Sequence, residues 1–175
     1  TEMTSAIKTC NDNGVYLAQF FRIISETNSA DIYQAAKDSA YYIGAVHEDE
    51  PANGEALVNI LLDKGDRDIG LIGWEQGDAT WLGRWEGYKA GVDKWNEAHP
   101  DDPAQLSEPQ YAGTTSEGGS KAAEALMAAD PNLDALIPAG GGGDPLQGAI
   151  AAVERAGKTQ DIDIVSTDFL PDLGD

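Results

Sequence analysis

IGLIGWEQGDATWLGRWEGY, residues Ile69–Tyr88, decides how this chain folds. It opens on a short apolar strand, passes through a polar loop, and enters a long amphipathic helix near Asp78-Ala79. In an open α/β sheet, ligands bind outside the carboxyl ends of the strands, where such a loop lies. The loop and the first helical turns hold groups suited to a polar organic ligand. Trp74 and Trp81 offer aromatic plates, Gln76, Asp78 and Thr80 offer polar groups, and Arg84 offers a fixed donor fork. Trp81, Trp85, Tyr88, Val92 and Trp95 fall on one helical stripe, with Arg84 at its edge near the helix start. Core packing is the competing role for the stripe tryptophans. A salt bridge to a neighbouring carboxylate is the competing role for Arg84.

Outward from this stretch the same alternation continues. On the N-terminal side, Thr4–Asn11 ends a helix closed near Asn13-Gly14, and Val15–Phe20 is a strand candidate. Thr27–Ser39 reads as polar and irregular, with one short turn. Tyr41–Val46 is a second strand. The acidic run His47-Glu48-Asp49-Glu50 reads as a solvated turn leading into Pro51 at a helix start. Leu57, Val58, Leu61 and Leu62 give that helix its buried face, and Gly65 ends it. On the C-terminal side, Pro100–Ser107 reads as a surface loop and Glu108–Ala112 as a weak strand. A helix carrying Ala122, Ala123 and Leu126 follows, ending at Asp130-Pro131. Next come a strand at Asp134–Pro138 and the glycine run Gly140–Gly143. A helix then starts at Asp144-Pro145, and a last strand, Ile162–Thr167, ends at Asp168. Strands alternating with helices of this length predict an α/β fold, a doubly wound parallel sheet with right-handed crossovers. Both ends of the pattern are abrupt, so the sheet is expected to be incomplete at each.

Composition narrows the function. A chain of 175 residues makes one domain, or one lobe of a larger protein, and its 41% hydrophobic content supports a core. Asp and Glu number 31 against 11 Lys and Arg, a formal net charge of −20. Nucleic-acid binding requires clustered basic residues, so a nucleic-acid partner is not expected. The single cysteine, Cys10, excludes an internal disulfide framework and any multi-cysteine zinc site. No apolar run approaches the roughly 18 residues of a membrane span. Catalytic motifs are missing: His47 and His99 are the only histidines, and neither H-E-x-x-H nor G-x-S-x-G occurs. Glycines 140–143 follow a strand and precede a helix, as in phosphate cradles. No GK[ST] follows them, however, and the G-x-G-x-x-G spacing fails. Neither a cofactor nor a metal is expected.

Four segments carry a family resemblance: AYYIG at Ala40–Gly44, GRWEGY at Gly83–Tyr88, LQGAIAAVERAGK at Leu146–Lys158, and IDIVSTDFLPD at Ile162–Asp172. In order and spacing they resemble the type 1 periplasmic sugar-binding proteins, the ribose- and galactose-binding group of ABC importers. The lac-repressor effector domain shares that fold. The resemblance implies a fragment, with residues 1–40 a remnant of the N-terminal lobe and hinge approach and residues 41–175 the C-terminal ligand-binding lobe. It also implies a small sugar or polyol held between lobes, a membrane permease as partner, a monomer, and a periplasmic or extracellular setting, lipid-anchored in the full-length protein. Arg84 would then donate to ligand hydroxyls or a ring oxygen, Asp168 would accept from hydroxyls, and Arg22 would reach from the first-lobe side. Asp78 and Thr80 match positions of polar contacts. Gly142-Gly143 stand where the family usually has Asn-Asp, which keeps Gly142 among the ligand positions. Gly113 stands where galactose-binding relatives place an aromatic plate, so Trp74 is expected to supply the stacking surface. The competing role for Asp168 is to cap a turn at Pro171. The alternative function is the effector domain of a lac-type transcriptional regulator.

Overall fold

A computed structural model of the chain describes residues 2–20, 24–139 and 144–167, without the side chains of residues 27 and 28. It divides into two compact units, Thr1–Asp49 and Glu50–Asp175.

The first unit runs α1 (Glu2–Asp12), β1 (Leu17–Phe20), α2 (Glu26–Asp38), β2 (Tyr42–Val46). Its two strands pair in parallel, with a register shift between Leu17 and Ala18. Two expectations are corrected here. Tyr42–Val46 joins β1 rather than the main sheet. The polar stretch after Thr27 is helical, broken only at Ser29, where φ is −155° and ψ is 48°. Its apolar periodicity is faint, so tertiary contacts decide its state. The Asn11 side chain accepts from the Ser39 hydroxyl and the Ala40 N–H, each at 3.1 Å, tying the end of α2 to the last turn of α1.

The second unit runs α3 (Glu50–Lys64), β3 (Asp68–Gly73), α4 (Ala79–Ala98), β4 (Gln105–Leu106), β5 (Gln110–Tyr111), α5 (Ser116–Ala129), β6 (Ala135–Pro138), α6 (Asp144–Arg155), β7 (Asp163–Ile164). Among the described residues its strands lie in the order β4-β3-β6-β7, with β5 also beside β3, and every pair is parallel. The period-2 alternation of a strand decides which face each side chain meets. Ile69, Leu71, Ala135 and Ile137 pack with α3 and α4 on one face. Ile72 and Leu136 pack with α5 and α6 on the other. The sheet is therefore wound on both sides, as the alternation predicts.

The edge beside β3 corrects the reading of Pro100–Ser107 as loop only, because Gln105 and Leu106 pair with Asp68 and Ile69. Two short strands stand where one weak strand was expected. Between them the Ser107 hydroxyl, rather than a backbone carbonyl, accepts the Leu71 N–H at 2.9 Å. Pro109 has no N–H to offer the ladder there.

α3 and α4 touch backbone to backbone. Gly83, Gly87 and Gly91 recur every four residues, one per helical turn, and face α3. A Cβ on Gly87 would overlap the Pro51 carbonyl oxygen, and one on Gly54 would overlap the Arg84 carbonyl oxygen. Gly87→Ala should therefore destabilise the protein. Separating the helices costs about 3 kcal/mol by overpacking and alanine's better helix propensity returns about 1, a net loss of about 2 kcal/mol measurable by urea denaturation.

The opposite end of the sheet holds a carboxylate cluster. Asp134 accepts from the N–H groups of Arg67 at 2.8 Å and Asp68 at 2.9 Å. Beside it Asp66 is 9% exposed. Burial first, and then the charges of Asp163 and Asp134, raise the Asp66 pKa to about 6, against the pull of Lys64. The folded state thus binds this proton more tightly than the unfolded chain. The contribution is complete at low pH and is lost as pH rises through about 6. Asp66→Asn should remove this dependence. Relative to wild type it should gain about 1 kcal/mol between pH 4 and pH 7, read from urea midpoints.

Candidate functional site

The carboxyl rim of the second unit's sheet brings together the residue after β3, the first turns of α4, and the segment from β7 to Thr167. Gly77, at φ +89°, turns the loop after β3. Asp78 then caps α4: its backbone is extended, and its Oδ1 accepts the Trp81 N–H at 2.8 Å. The helix axis is thereby fixed, and Arg84 sits two turns into it.

Arg84 is the centre of the rim. It is 5% exposed, far more enclosed than a stripe-edge position suggests. Its Nε donates to Glu50 Oε2 at 2.6 Å, and its Nη1 donates to Thr167 Oγ1 at 2.8 Å. Its guanidinium carbon lies 5.4 Å from the centre of the Trp74 ring. Side-chain exposure is 6% for Arg84 and 12% for Glu50, so the ion pair is buried. One turn further on, burial pushes the Tyr88 phenol well above its usual range while the Arg84 charge pulls it down.

Glu50 is the residue that sequence reasoning missed. Its neighbours His47-Glu48-Asp49 suggest a solvated acidic turn, yet Glu50 is the first residue of α3 and meets Arg84. The signal lay in the glycines. A Cβ on Gly83 would lie 2.9 Å from the Glu50 Cβ, so only a glycine there lets the start of α3 approach α4 so closely.

The other expected residues separate. Trp74 is half-buried against the core and faces Arg84. Thr80 is half-buried. The structure spends the Asp78 carboxylate on capping. Trp81 is fully buried, with its ring against Gly73 and tilted on Tyr88 at 6.0 Å, so packing is its role here. Its indole N–H has no acceptor among the described residues. Trp85 and Trp95 pack at the edge of the same core. Arg22, Gly142 and Asp168 lie outside the described residues, as does the rest of the glycine run. Among the described residues no group of three or more His, Cys, Asp or Glu side chains could hold a metal ion. None of the described helices is long and apolar enough to cross a membrane.

An open parallel sheet covered on both faces, with polar and aromatic groups gathered at its carboxyl rim, places the chain among the α/β ligand-binding folds. The chain belongs to the periplasmic binding protein family: the model of the periplasmic binding protein domain matches residues 1–173.

Solved structures agree in fold. A periplasmic solute-binding protein of an ABC transporter from Actinobacillus succinogenes, with bound D-allose, superposes with a TM-score of 0.72 at 17% identity, over 96% of this chain and 55% of its own. An ABC transporter solute-binding protein from Agrobacterium vitis, with bound D-fucose, gives 0.70 at 19%, over 97% and 53%. A sugar-binding transcriptional regulator of the LacI family from Escherichia coli, complexed with phosphate, gives 0.71 at 19%, over 95% and 62%. The chain spans about half the length of the solute-binding structures it matches. No curated protein matches it.

If the Asp78 carboxylate serves the helix, Asp78→Ala should cost about 1 kcal/mol of stability and Asp78→Ser much less. Thermal denaturation of both variants checks this.

Proposed function

We propose that this chain is the ligand-binding part of a solute-binding protein of an ABC importer, and that it takes a small sugar or related polyol at the rim around Arg84. The observation that carries the reading is the guanidinium itself, fixed by Glu50 and Thr167 beside the face of Trp74. Sugars present hydroxyls that both accept and donate, and a C–H face that suits an aromatic ring. The D-allose bound in the A. succinogenes structure and the D-fucose bound in the A. vitis structure support this class. The role is capture without chemistry, followed by presentation to a membrane permease. The setting is periplasmic or extracellular, with a lipid anchor in the full-length protein, and the working form is a monomer. By family analogy Asp168 and Arg22 complete the contacts, and Gly142, Thr80, Asp78 and Trp81 border them.

A second reading is favoured by one observation. The LacI-family regulator fits the chain as well as the transport proteins do, so an effector domain of a transcriptional regulator has the same support from fold. The residues upstream in the full-length protein discriminate: a secretory signal with a lipid-anchor cysteine, or a basic helix-turn-helix.

The test is titration of the full-length protein against a panel of monosaccharides, with tryptophan fluorescence as the readout. Arg84→Lys keeps a positive charge beside Glu50 but loses the planar fork, and it should weaken the best ligand by about 1.5–3 kcal/mol. An unchanged affinity would place the ligand elsewhere.

A further inference from the structure

Arg84 does not meet its surroundings as a lone cation. Its Nε edge is already given to the Glu50 carboxylate at 2.6 Å, and both side chains are largely withdrawn from water. An Arg fork that lacks such a partner is matched best by a planar anion, a carboxylate or a phosphate, through two parallel hydrogen bonds. Here the carboxylate is supplied by the protein. The pair is neutral as a unit, and Glu50 cannot easily retreat. It begins α3, where the helix dipole favours a negative charge. Its Cβ also packs against the glycine face of α4 at Gly83.

We infer that Glu50 determines the charge class of the ligand: it makes the Arg84 rim accept neutral polyols and reject sugars carrying a carboxylate or a phosphate. The inference rests on the sugar-binding reading above. An anionic ligand reaching Arg84 brings a second negative charge beside Glu50 in a poorly solvated place, where like charges repel strongly. A neutral sugar adds no charge, and its hydroxyls can accept from the guanidinium and donate to the carboxylate. Selectivity then comes from a repulsive element as much as from an attractive one. Glu50 also orients the guanidinium, and the two roles separate in a charge comparison.

The experiment pairs the best-binding neutral monosaccharide of the panel with the uronic acid of the same stereochemistry, at pH 7, by calorimetry on the full-length protein. Wild type should bind the neutral sugar at least about tenfold more tightly than the uronate. Glu50→Gln keeps the size and removes the charge, so it should narrow that ratio by about tenfold or reverse it. Glu50→Asp restores the charge and should restore the preference for the neutral sugar. A merely structural role would weaken both ligands together and leave the ratio unchanged, and that result overturns the inference. Wild type binding the uronate as tightly as the neutral sugar overturns it without any variant, so a Gln variant that fails to fold does not protect it. Wild type binding none of the panel removes the sugar-binding reading, and this inference with it. Sugar binding with an unchanged ratio removes this inference alone.

Discussion

The close contact between α3 and α4 is the constraint on which the rest of the second unit depends. Two helices ordinarily pack with side chains between their axes, about 8–10 Å apart. Here glycines on both sides bring backbone against backbone: Gly87 meets Pro51, and Gly54 meets Arg84. Two consequences follow from that one contact. The helices form a thin, rigid layer over β3 and β6, sealed below by Leu57, Leu61, Tyr88 and Val92. The first residue of α3 is also delivered to the second turn of α4, where Glu50 finds Arg84. A buried ion pair is weak evidence of stabilisation, because desolvating two charges offsets most of their attraction. Its value in this fold is positional.

The two ends of the sheet do different work. At the carboxyl rim, Thr167 and Trp74 close around the guanidinium, and the groups there are partnered in ways a polar ligand can extend. At the other end, Asp134 accepts from the N–H groups of Arg67, just before β3, and of Asp68, its first residue, while Asp66 sits near Asp163 at the cost of a raised pKa. Carboxylates at that end tie strand starts together, and their electrostatics bear on folding. In parallel sheets ligands gather at the other rim, because helix N-termini and loop tips converge there. The strong overall acidity is therefore divided among a structural edge, a solvated surface and the rim, where Asp78 caps α4 and Glu50 meets Arg84.

Much of this was legible in the sequence, and the exceptions have physical causes. The apolar run of β3, the capped start of α4 at Asp78 and the core stripe from Trp81 to Trp95 are local signals, and they gave the α/β alternation and the rim. Arg84 lies in the second turn of α4, near the helix start that the sequence indicates, and its competing salt-bridge role is present in the pair with Glu50. Glu50 was hidden because its partner lies 34 positions away in the chain. An acidic turn and a buried half of an ion pair look the same until the helix contact is known. The four-residue glycine repeat was the available clue. The split β4 and β5 edge was obscured by Pro103 and Pro109, which mark loops by composition, although Gln105–Leu106 between them and Gln110–Tyr111 just after them still pair with β3. α2 lacked a clear apolar face, and its end is fixed by Asn11, a contact no local pattern shows. Trp81 shows the ambiguity of an aromatic near a helix start: the same position serves packing or a ligand, and here Gly73 and Tyr88 enclose the ring.

The most direct single measurement is a crystal structure of the full-length protein with its best-binding neutral sugar. The expected result is a sugar oxygen within hydrogen-bond distance of the Arg84 guanidinium, with the ring against Trp74 and the Glu50–Arg84 pair intact. A sugar bound away from Arg84, or bound there only after Glu50 has let go of it, would contradict the central claim that this buried pair builds the site.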